Sequence, residues 1–288
     1  MITSVQQITV RSATEEDRQG LANLLHFETH VHRHLDWRPP LDWIGHEPYL
    51  IAEREGRLVA ALACPPDPPN VAWIRLFAVS SAIPAGKAWE ELWSIAHAQL
   101  SATEKTPKIA AIPLQGWFRK VLEANDFVRT HKVIVLAWNH GEVPPERDSS
   151  SITIRPMNFD DLSAVEEIDS AAFGSVWQNS QSCLEIAFRQ AAIATVADGP
   201  QGLAGYQIST ATSMGGHLAR LAVQPDSQGM GIGYNLVRDM LSQFKRRGAL
   251  SVTVNTQQDN LASLTVYERA GFRRTGEEYP VYQSLPDR

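Results

Sequence analysis

The sequence has few cysteines, no long apolar run and no excess of positive charge, and each of these absences narrows the possible functions. Two cysteines among 288 residues cannot form a disulfide framework, which favours a reducing compartment. The longest apolar run, Leu58–Cys64, is far too short to span a bilayer, and residues 1–10 lack the basic and apolar regions of a signal peptide. We therefore expect a cytoplasmic protein that does not bind membranes.

The charge balance argues against a nucleic-acid partner. Lys and Arg number 26, whereas Asp and Glu number 32, so the net charge is −6. Non-specific binding to phosphate backbones needs the opposite excess. Hydrophobic residues make up 43% of the chain and charged residues 20%, which is a globular mixture. At roughly 150 residues per domain, the length predicts two domains.

Two copies of one unit account for this length. Ile8–Arg11 (ITVR) reappears almost unchanged as Ile152–Arg155 (ITIR), 144 residues later. Further matches follow in the same order at an offset of 144 or 145: Glu16-Asp17 with Asp160-Asp161, Arg75-Leu76 with Arg220-Leu221, and Glu123, Phe127 and Arg129-Thr130 with Glu268, Phe272 and Arg274-Thr275. Several ordered matches at a nearly constant offset indicate a duplication.

The segment between the copies predicts a linker. Residues 139–151 (NHGEVPPERDSSS) combine a Pro-Pro pair, charges and serines, which we expect not to pack. The predicted organisation is one domain over residues 1–140, a linker at 141–150 and a second domain over 151–288. Each copy predicts a strand, one or two helices, three strands and then alternating helices and strands. This order favours the α/β (α+β) class, with a mixed, mostly antiparallel sheet flanked by helices in each domain.

The segment Arg220–Gly248 carries the strongest chemical signal. Its first strand runs into a turn, and Gly229, Gly231 and Gly233 then precede a helix with an apolar stripe. The first N–H groups of a helix are unpaired, and residues without a Cβ let a ligand approach the main chain. Such a loop can therefore hold a phosphate or pyrophosphate. A glycine-rich turn without a ligand is the alternative. The P-loop motif fails because no Gly-Lys-Ser/Thr occurs here, and the dinucleotide motif fails because its third glycine position is Tyr234 or Leu236.

Two motifs resemble those of the GNAT superfamily of N-acyltransferases. The loop Gln228-x-x-Gly231-x-Gly233, after a strand that ends in Leu221-Ala222-Val223, is similar to the superfamily's acyl-CoA pyrophosphate loop. The superfamily's second signature, N-x-x-[AS]-x-x-x-Y-x-x-x-G-F, is reproduced by Asn260, Ser263, Tyr267, Gly271 and Phe272. The resemblance covers residues 151–288, with a weaker echo over 8–138. It implies two tandem GNAT-like domains.

The resemblance also implies an N-acyltransferase that moves an acetyl group from acetyl-CoA directly to an amine, without a metal. The cofactor-binding residues that it implies are Leu221, Ala222, Val223, Gln228, Gly229, Met230, Gly231, Ile232, Gly233, Tyr234 and Asn260. A main-chain N–H near Ala222 or Val223 would polarise the thioester carbonyl. Tyr267, protonated at pH 7, would give its proton to the leaving thiolate. Asn260 would cap the helix that carries Tyr267.

The general base is left open by the sequence. Relatives that act on protein N-termini place a Glu at the position that is Asn255 here, and an amide cannot act as a base. The remaining candidates are His217, Glu277 or Glu278 in the last loop, and a water chain to solvent. A non-catalytic acyl-CoA sensor or scaffold is therefore the alternative to an enzyme.

The acceptor is also open: a small amine, an aminoglycoside-like molecule or a peptide N-terminus. Aromatic residues where this fold builds its acceptor site are equally compatible with packing: Phe173, Trp177, Tyr279 and Tyr282. The tandem architecture also resembles the mycothiol synthases, but these would be expected to keep cofactor features in both halves. We expect a monomer or a homodimer.

The first copy retains the pattern of the fold and lacks the site residues. In its loop, Ser80–Trp89 (SSAIPAGKAW), one glycine remains, and the second glycine position falls on Ala88 or Trp89, depending on the offset. A Trp at this position would fill the cradle. Gln115 stands in place of Asn260, and Leu122 in place of Tyr267. We predict a catalytically silent first domain. Its histidines are expected to be polar residues on a helix and a loop rather than metal ligands: His26, His30, His32 and His34.

Overall fold

The repeated segments form the same ion pair in both halves of the computed structural model, which describes residues 8–139, 141–146, 152–213 and 215–285. In each copy an arginine of the first strand directs two guanidinium N–H groups at one carboxylate. Arg11 contacts Asp17 at 2.7 and 2.8 Å, and Arg155 contacts Asp161 at 2.8 and 2.9 Å. The same two-bond contact, 144 residues apart, supports the duplication predicted from the sequence.

The chain forms two compact units, described separately below. The first contains the chain up to Thr130 together with the residues from Pro280 onward, and the second runs from His131 to Tyr279. Among the described residues, no helix is long and apolar enough to cross a membrane.

The first unit packs its helices around two groups of strands. One sheet is antiparallel with the order β1-β3-β4-β6-β2, and β5 pairs in parallel with β7, which also pairs with the end of β14. The largest fully buried side chains include Trp89, Phe77 and Phe118. The elements are β1 (Ile8–Ser12), α1 (Arg18–Phe27), β2 (His30–Arg33), β3 (Tyr49–Arg54), β4 (Arg57–Ala63), β5 (Val71–Trp73), β6 (Leu76–Val79), α2 (Ala85–Ser101), β7 (Lys108–Ala111), α3 (Gly116–Glu123), and the first part of β8 (Phe127–Asn139).

The second unit has one mixed sheet with the strand order β8-β13-β12-β11-β10-β9. Only the β12–β13 pair is parallel among these neighbours in the described residues. Its further elements are β9 (Thr153–Pro156), α4 (Leu162–Ala172), α5 (Gln181–Gln190), β10 (Ile193–Gly199), β11 (Gly202–Ala211), β12 (Gly215–Val223), α6 (Ile232–Arg246), β13 (Ser251–Gln257), α7 (Leu261–Arg269) and β14 (Arg273–Ser284). The predicted class is confirmed: both units are mixed α/β, mostly antiparallel, with flanking helices.

The compact units divide the chain at different places from the predicted boundary at 141–150. Residues 131–139, which belong to the first copy in sequence, pair with β13 in the second unit, from Val133–Gln257 to Asn139–Ser251. Near the end of the chain, Tyr282 pairs with Ala111 of β7 in the first unit. The last strand of each copy thus contributes its second part to the unit that contains most of the other copy. The domain boundaries of the sequence analysis remain a prediction about the repeat.

The described part of the predicted linker is packed, which corrects the expectation of a free segment. The Tyr234 hydroxyl donates to the carbonyl of Pro145 at 3.1 Å, and Arg238 Nε donates to that of Pro144 at 3.2 Å. Prolines lack an N–H but keep a carbonyl acceptor, so this backbone suits a helix face that carries donors. Residues 147–150 of the predicted linker lie outside the described residues.

Tyr282 belongs to the core of the first unit. The sequence analysis had left open whether this residue packs in the core or contacts the acceptor. It is 5% exposed. Its hydroxyl donates to Glu123 Oε1 at 2.6 Å. The residue therefore joins the end of β14 to α3.

We expect Tyr282→Phe to lower the free energy of unfolding of the first unit by about 1 kcal/mol, because one hydrogen bond to a carboxylate is lost while the ring still packs. Chemical denaturation of wild type and variant measures the difference. Any acetyl-transfer rate should stay the same. A loss of turnover with an unchanged unfolding midpoint would place Tyr282 at the reaction site and contradict this assignment.

Candidate active site

Strands β12 and β13 separate halfway along their length. Their parallel pairing runs from Gly215–Ser251 to Leu218–Val254 and ends there. At this point β12 has a bulge, since Ala219 is the extra residue between the positions that face Ser209 and Ile208 of β11. A bulge bends a strand and interrupts its pairing.

The bulge leaves one edge of β12 open. Within the described residues, Arg220–Val223 pair with β11 only, while the following part of β13 pairs with β8. The predicted thioester and pantetheine residues, Leu221, Ala222 and Val223, lie on this part of the strand. Their main chain is therefore available to an extended amide chain on the side away from β11.

The glycine loop follows the open end of β12. Gly229 and Gly231 have φ angles of 81° and 82°, in the left-handed region that favours glycine, and Gly231 directly precedes α6. A Cβ built on Gly229 would have no atom within 4 Å, so the space above it is free. Gln228 Nε2 donates to the carbonyl of Val223 at 3.2 Å and ties the loop to the strand.

The other predicted loop residues have different surroundings. Met230 is 56% exposed, whereas Ile232 is 1% and Tyr234 is 6% exposed and both pack in the core. Ile232 and Tyr234 can therefore meet a ligand through main-chain N–H groups in the first turn of α6 and not through their buried side chains. At Gly233 a Cβ would lie 3.4 Å from Val223 and 3.9 Å from Val266, which is ordinary contact.

Helix α7 lies beside this loop and carries Tyr267. Asn260 caps the helix, as predicted, since its side-chain oxygen accepts the N–H of Ser263 at 3.1 Å. Val266 approaches Gly233 of the loop. Tyr267 is 4% exposed, and its ring centroid lies 5.8 Å from that of Phe272. The structure thus brings the second signature next to the glycine loop.

The acidity of Tyr267 is set by opposing effects. Burial raises the pKa of Tyr267 above its usual value near 10, and a hydrogen bond with Ser263 and the positive charge of Arg220 offset only part of this rise. The hydroxyl therefore keeps its proton at neutral pH and can donate it. The same shift makes Tyr267 a weaker acid. The positive charge of Arg220 lowers the pKa of Tyr267 and so makes proton donation easier.

The predicted base candidate on β12, His217, lies in the paired part of the strand and not on its open edge. His217 Nδ1 lies 2.8 Å from Thr253 Oγ1, in the paired part of the two strands. It faces Thr210 of β11, whereas Ala222 faces Tyr206, four residues along that strand, or about 13 Å at the usual rise of a strand. Burial lowers the pKa of His217, which keeps the ring neutral at pH 7. His217 therefore needs a water chain to receive a proton from an amine at Ala222.

Glu277 and Glu278, the other predicted base candidates, lie in strand β14 and not in a loop as predicted. Lys132 Nζ contacts both carboxylate oxygens of Glu278 at 2.9 Å, so this carboxylate is already paired. Glu277 accepts the hydroxyl of Tyr279 at 3.3 Å. Asn255 is exposed on β13, opposite Val135 of β8.

Sequence reasoning missed three residues that contact the turn after α4. Arg220, noted only as part of the repeat, forms a two-bond ion pair with Asp169 of α4 at 2.7 Å for each bond. His131, from β8, lies with its ring 6.1 Å from that of Trp177. These contacts join residues 51 and 46 positions apart, and nothing local in the sequence indicates them.

In the first unit, a strand occupies the corresponding edge. β6 is the counterpart of the open part of β12, since Leu76 matches Leu221 at the offset of 145. One edge of β6 pairs with β4, and its other edge pairs with β2, from His30–Val79 to Arg33–Leu76. β2 therefore lies where the second unit keeps an open edge.

Aromatic rings fill the neighbouring positions of the first unit. Phe77 stands where the second copy has Ala222, and it packs edge-on against the fully buried Trp89 at 5.2 Å. Nearby, His32 Nε2 donates to the carbonyl of Ile74 at 3.0 Å, and burial lowers the pKa of His32 to about 4. Among the described residues, no group of three or more His, Cys, Asp or Glu side chains could hold a metal ion.

These features are those of an acetyltransferase fold, and comparison with known proteins gives the same class. Residues 162–282 match the sequence model of the family described as "Acetyltransferase (GNAT) domain". The match includes the open edge of β12, the glycine loop and Tyr267. A solved structure described as a tandem GNAT protein from the clavulanic acid biosynthesis pathway covers 98% of this chain and 100% of its own, with a TM-score of 0.65 at 15% identity. The chain therefore has the fold of a tandem GNAT protein.

Two curated relatives are similar over shorter stretches. N-alpha-acetyltransferase 30 of Schizosaccharomyces pombe is 36% identical over 76 residues, which cover 26% of this chain and 51% of the relative. Mycothiol acetyltransferase of Cellulomonas flavigena is 25% identical over 188 residues, which cover 64% of this chain and 47% of the relative. The chain thus spans about half the length of these two relatives.

We expect Gly229→Ala to weaken acetyl-CoA binding by about 10-fold or more, because a Cβ would project into the space where a pyrophosphate must approach the main chain. Gly248→Ala is the matched control. Gly248 follows the other end of α6, with φ 79° and no atom near its Cβ, so the backbone strain is the same. Calorimetric titration of both variants separates the two effects. Equal losses of affinity in Gly229→Ala and Gly248→Ala would show that backbone strain alone is responsible, and would contradict a pyrophosphate site at Gly229.

We also expect one acetyl-CoA site per chain, because β2 already pairs with the edge that pantetheine would need in the first unit. The stoichiometry of the same titration of the whole chain measures this. Two sites per chain would contradict the inference that the first unit is silent.

Proposed function

We propose that this chain is an N-acetyltransferase that moves the acetyl group of acetyl-CoA directly to an amine, and that the second unit carries the reaction. The observation that carries the proposal is the open edge of β12, with the glycine loop at its end and Tyr267 on the adjoining helix. An extended thioester substrate fits such an arrangement, because the edge offers main-chain partners and the loop offers N–H groups for phosphates.

Different main-chain groups of the second unit would bind different parts of acetyl-CoA. Main-chain N–H groups from Gly229 to Tyr234 would hold the pyrophosphate, and the edge at Leu221–Val223 would pair with the pantetheine amides. A main-chain N–H at Ala222 or Val223 would polarise the thioester carbonyl, where the amine attacks. Acetyl-CoA supplies the activated acyl group.

Proton transfers complete the reaction. The amine nitrogen forms a bond to the carbonyl carbon, and the carbon–sulfur bond breaks. Tyr267 gives its proton to the leaving sulfur and then regains one from solvent, while the proton released by the amine passes to water and so to solvent. Since no carboxylate stands at Asn255, we propose a water chain for this second transfer, with His217 at a distance as a further acceptor.

The acceptor class remains within the amines. One curated relative is named as an N-alpha-acetyltransferase and the other as a mycothiol acetyltransferase. Phe173 and Trp177 offer aromatic surface on the side of α4, which suits either a small amine or the first residues of a peptide.

Asn255 favours a second candidate, a non-catalytic acyl-CoA sensor. An amide at this position cannot remove the proton of an ammonium ion. The sensor predicts tight, stoichiometric binding of acetyl-CoA without release of thiol. The presence of Tyr267 beside the loop favours the enzyme.

Thiol release from acetyl-CoA, measured with glucosamine, spermidine and an alanine-initiated hexapeptide, tests the function. We expect turnover with at least one of these amines, and none with the N-acetylated form of an active acceptor. Binding of acetyl-CoA with no turnover above hydrolysis for any of the three would favour the sensor.

In the active assay, Tyr267→Phe should lower kcat by roughly 10²–10⁴-fold and leave the Kd for acetyl-CoA nearly unchanged, because only the proton donor is lost. Tyr282→Phe serves as the matched control. Because burial raises the pKa of Tyr267, kcat of the wild type should not fall through loss of this proton between pH 8 and 10. An unchanged kcat in Tyr267→Phe at saturating acetyl-CoA would remove the general-acid role.

A further inference from the structure

The ion pair between Arg220 and Asp169 stands at the centre of a hydrogen-bond hub on the acceptor side. Asp169 is fully buried and accepts four hydrogen bonds: from Arg220 Nε and Nη2 at 2.7 Å each, from the Tyr206 hydroxyl, and from the main-chain N–H of Asn179 at 2.9 Å. The Arg220 side chain is 13% exposed. A buried charge pair is stable only when its remaining polar groups are satisfied in this way.

The hub holds the turn that follows α4. Arg220 Nη2 also donates to the carbonyl of Trp177 at 2.6 Å, and the guanidinium lies 3.6 Å from the centroid of the Phe173 ring. Asn179, at the end of the same turn, is fixed by Asp169. The guanidinium and the carboxylate therefore contact the segment from Phe173 to Asn179 at its start, middle and end. This segment contains one short 3₁₀ helix, Ser175–Trp177, and Gln178 Nε2 also donates to the carbonyl of Phe173 at 3.1 Å.

The position of Arg220 links this turn to the reaction edge. Arg220 lies directly between the bulge at Ala219 and the open residues Leu221–Val223. Any shift of its side chain moves the aromatic turn relative to the strand that would hold the thioester. The planar fork of an arginine can bind a carboxylate through two bonds and a carbonyl at the same time, which the single ammonium group of lysine cannot do in the same geometry.

We propose that Arg220, held by Asp169, is the positioning residue of the acceptor site: it fixes the turn Phe173–Asn179 as the wall that orients the amine and so determines which acceptors fit. The proposal rests on the proposed function, because it assigns the acceptor to the α4 side of the open edge. It concerns the acceptor alone, so the binding of acetyl-CoA does not depend on it.

Arg220→Lys tests the proposal, because it keeps a positive charge beside Asp169 and removes the fork. We expect the KM for the active amine to rise by about 10-fold or more, with kcat changed less than about threefold and the Kd for acetyl-CoA within twofold. A purely structural role would not raise the KM for the amine while it leaves kcat and the Kd for acetyl-CoA nearly unchanged. Amide hydrogen exchange of the substrate-free protein should also become faster at residues 173–179 than in the wild type.

Two matched controls come from the duplication. Arg155→Lys breaks an equivalent two-bond contact, with Asp161, in the same unit but away from the turn. Arg75→Lys alters the repeat counterpart of Arg220, which pairs with the buried carboxylate of Asp36 at 2.7 Å in the first unit. Both should leave the acceptor KM and the exchange at residues 173–179 unchanged.

The exchange measurement needs no turnover, so it separates this proposal from the proposed function. A wild type without turnover would overturn the enzyme assignment, and with it the role in acceptor choice, whereas faster exchange confined to residues 173–179 in Arg220→Lys would still support the positioning of the turn. Exchange at the turn equal to that of Arg155→Lys would overturn the positioning role. So would an acceptor KM that stays unchanged in an active Arg220→Lys enzyme.

Discussion

The separation of β12 from β13 after Leu218 is the constraint on which the other features of the site depend. A strand in a sheet ordinarily has partners on both edges, and an edge without one invites pairing. The bulge at Ala219 turns β12 away from β13 and leaves the edge of Ala219–Val223 open within the described residues. In the proposed reaction the amides of pantetheine satisfy this edge, so that substrate binding completes the sheet.

The two copies satisfy the same requirement in different ways. In the first unit, β6 has the strand β2 on the edge that β12 leaves open. The four residues of β2 supply the hydrogen bonds from within the chain, and the rings of Phe77 and Trp89 fill the volume beside them. In the proposed function, this edge takes a ligand in the second copy, whereas in the first copy it pairs with a strand. We propose that this strand is what keeps the first copy silent.

Local sequence patterns predicted the features whose cause is local. The left-handed glycines Gly229 and Gly231 and the cap formed by Asn260 follow from residues within a few positions of one another. β2 escaped prediction because its sequence, HVHR, has the character of a polar loop and becomes a strand only by pairing with β6. Two other features depend on contacts between distant residues, for which a single sequence contains no signal. They are the pairing of the ends of β8 and β14 with strands of the other copy, and the ion pair between Arg220 and Asp169.

The charge of Arg220 has to be neutralised if an amine is to be the acceptor. At a separation of 4 Å and an effective dielectric constant near 20, two like charges repel by about 4 kcal/mol. An unpaired guanidinium beside the reaction edge would therefore exclude an incoming ammonium ion. The carboxylate of Asp169, 2.7 Å away, opposes this repulsion while it accepts two hydrogen bonds from the guanidinium. Asp169 thus allows an arginine to shape the acceptor wall without repelling the class of substrate that the proposed reaction requires.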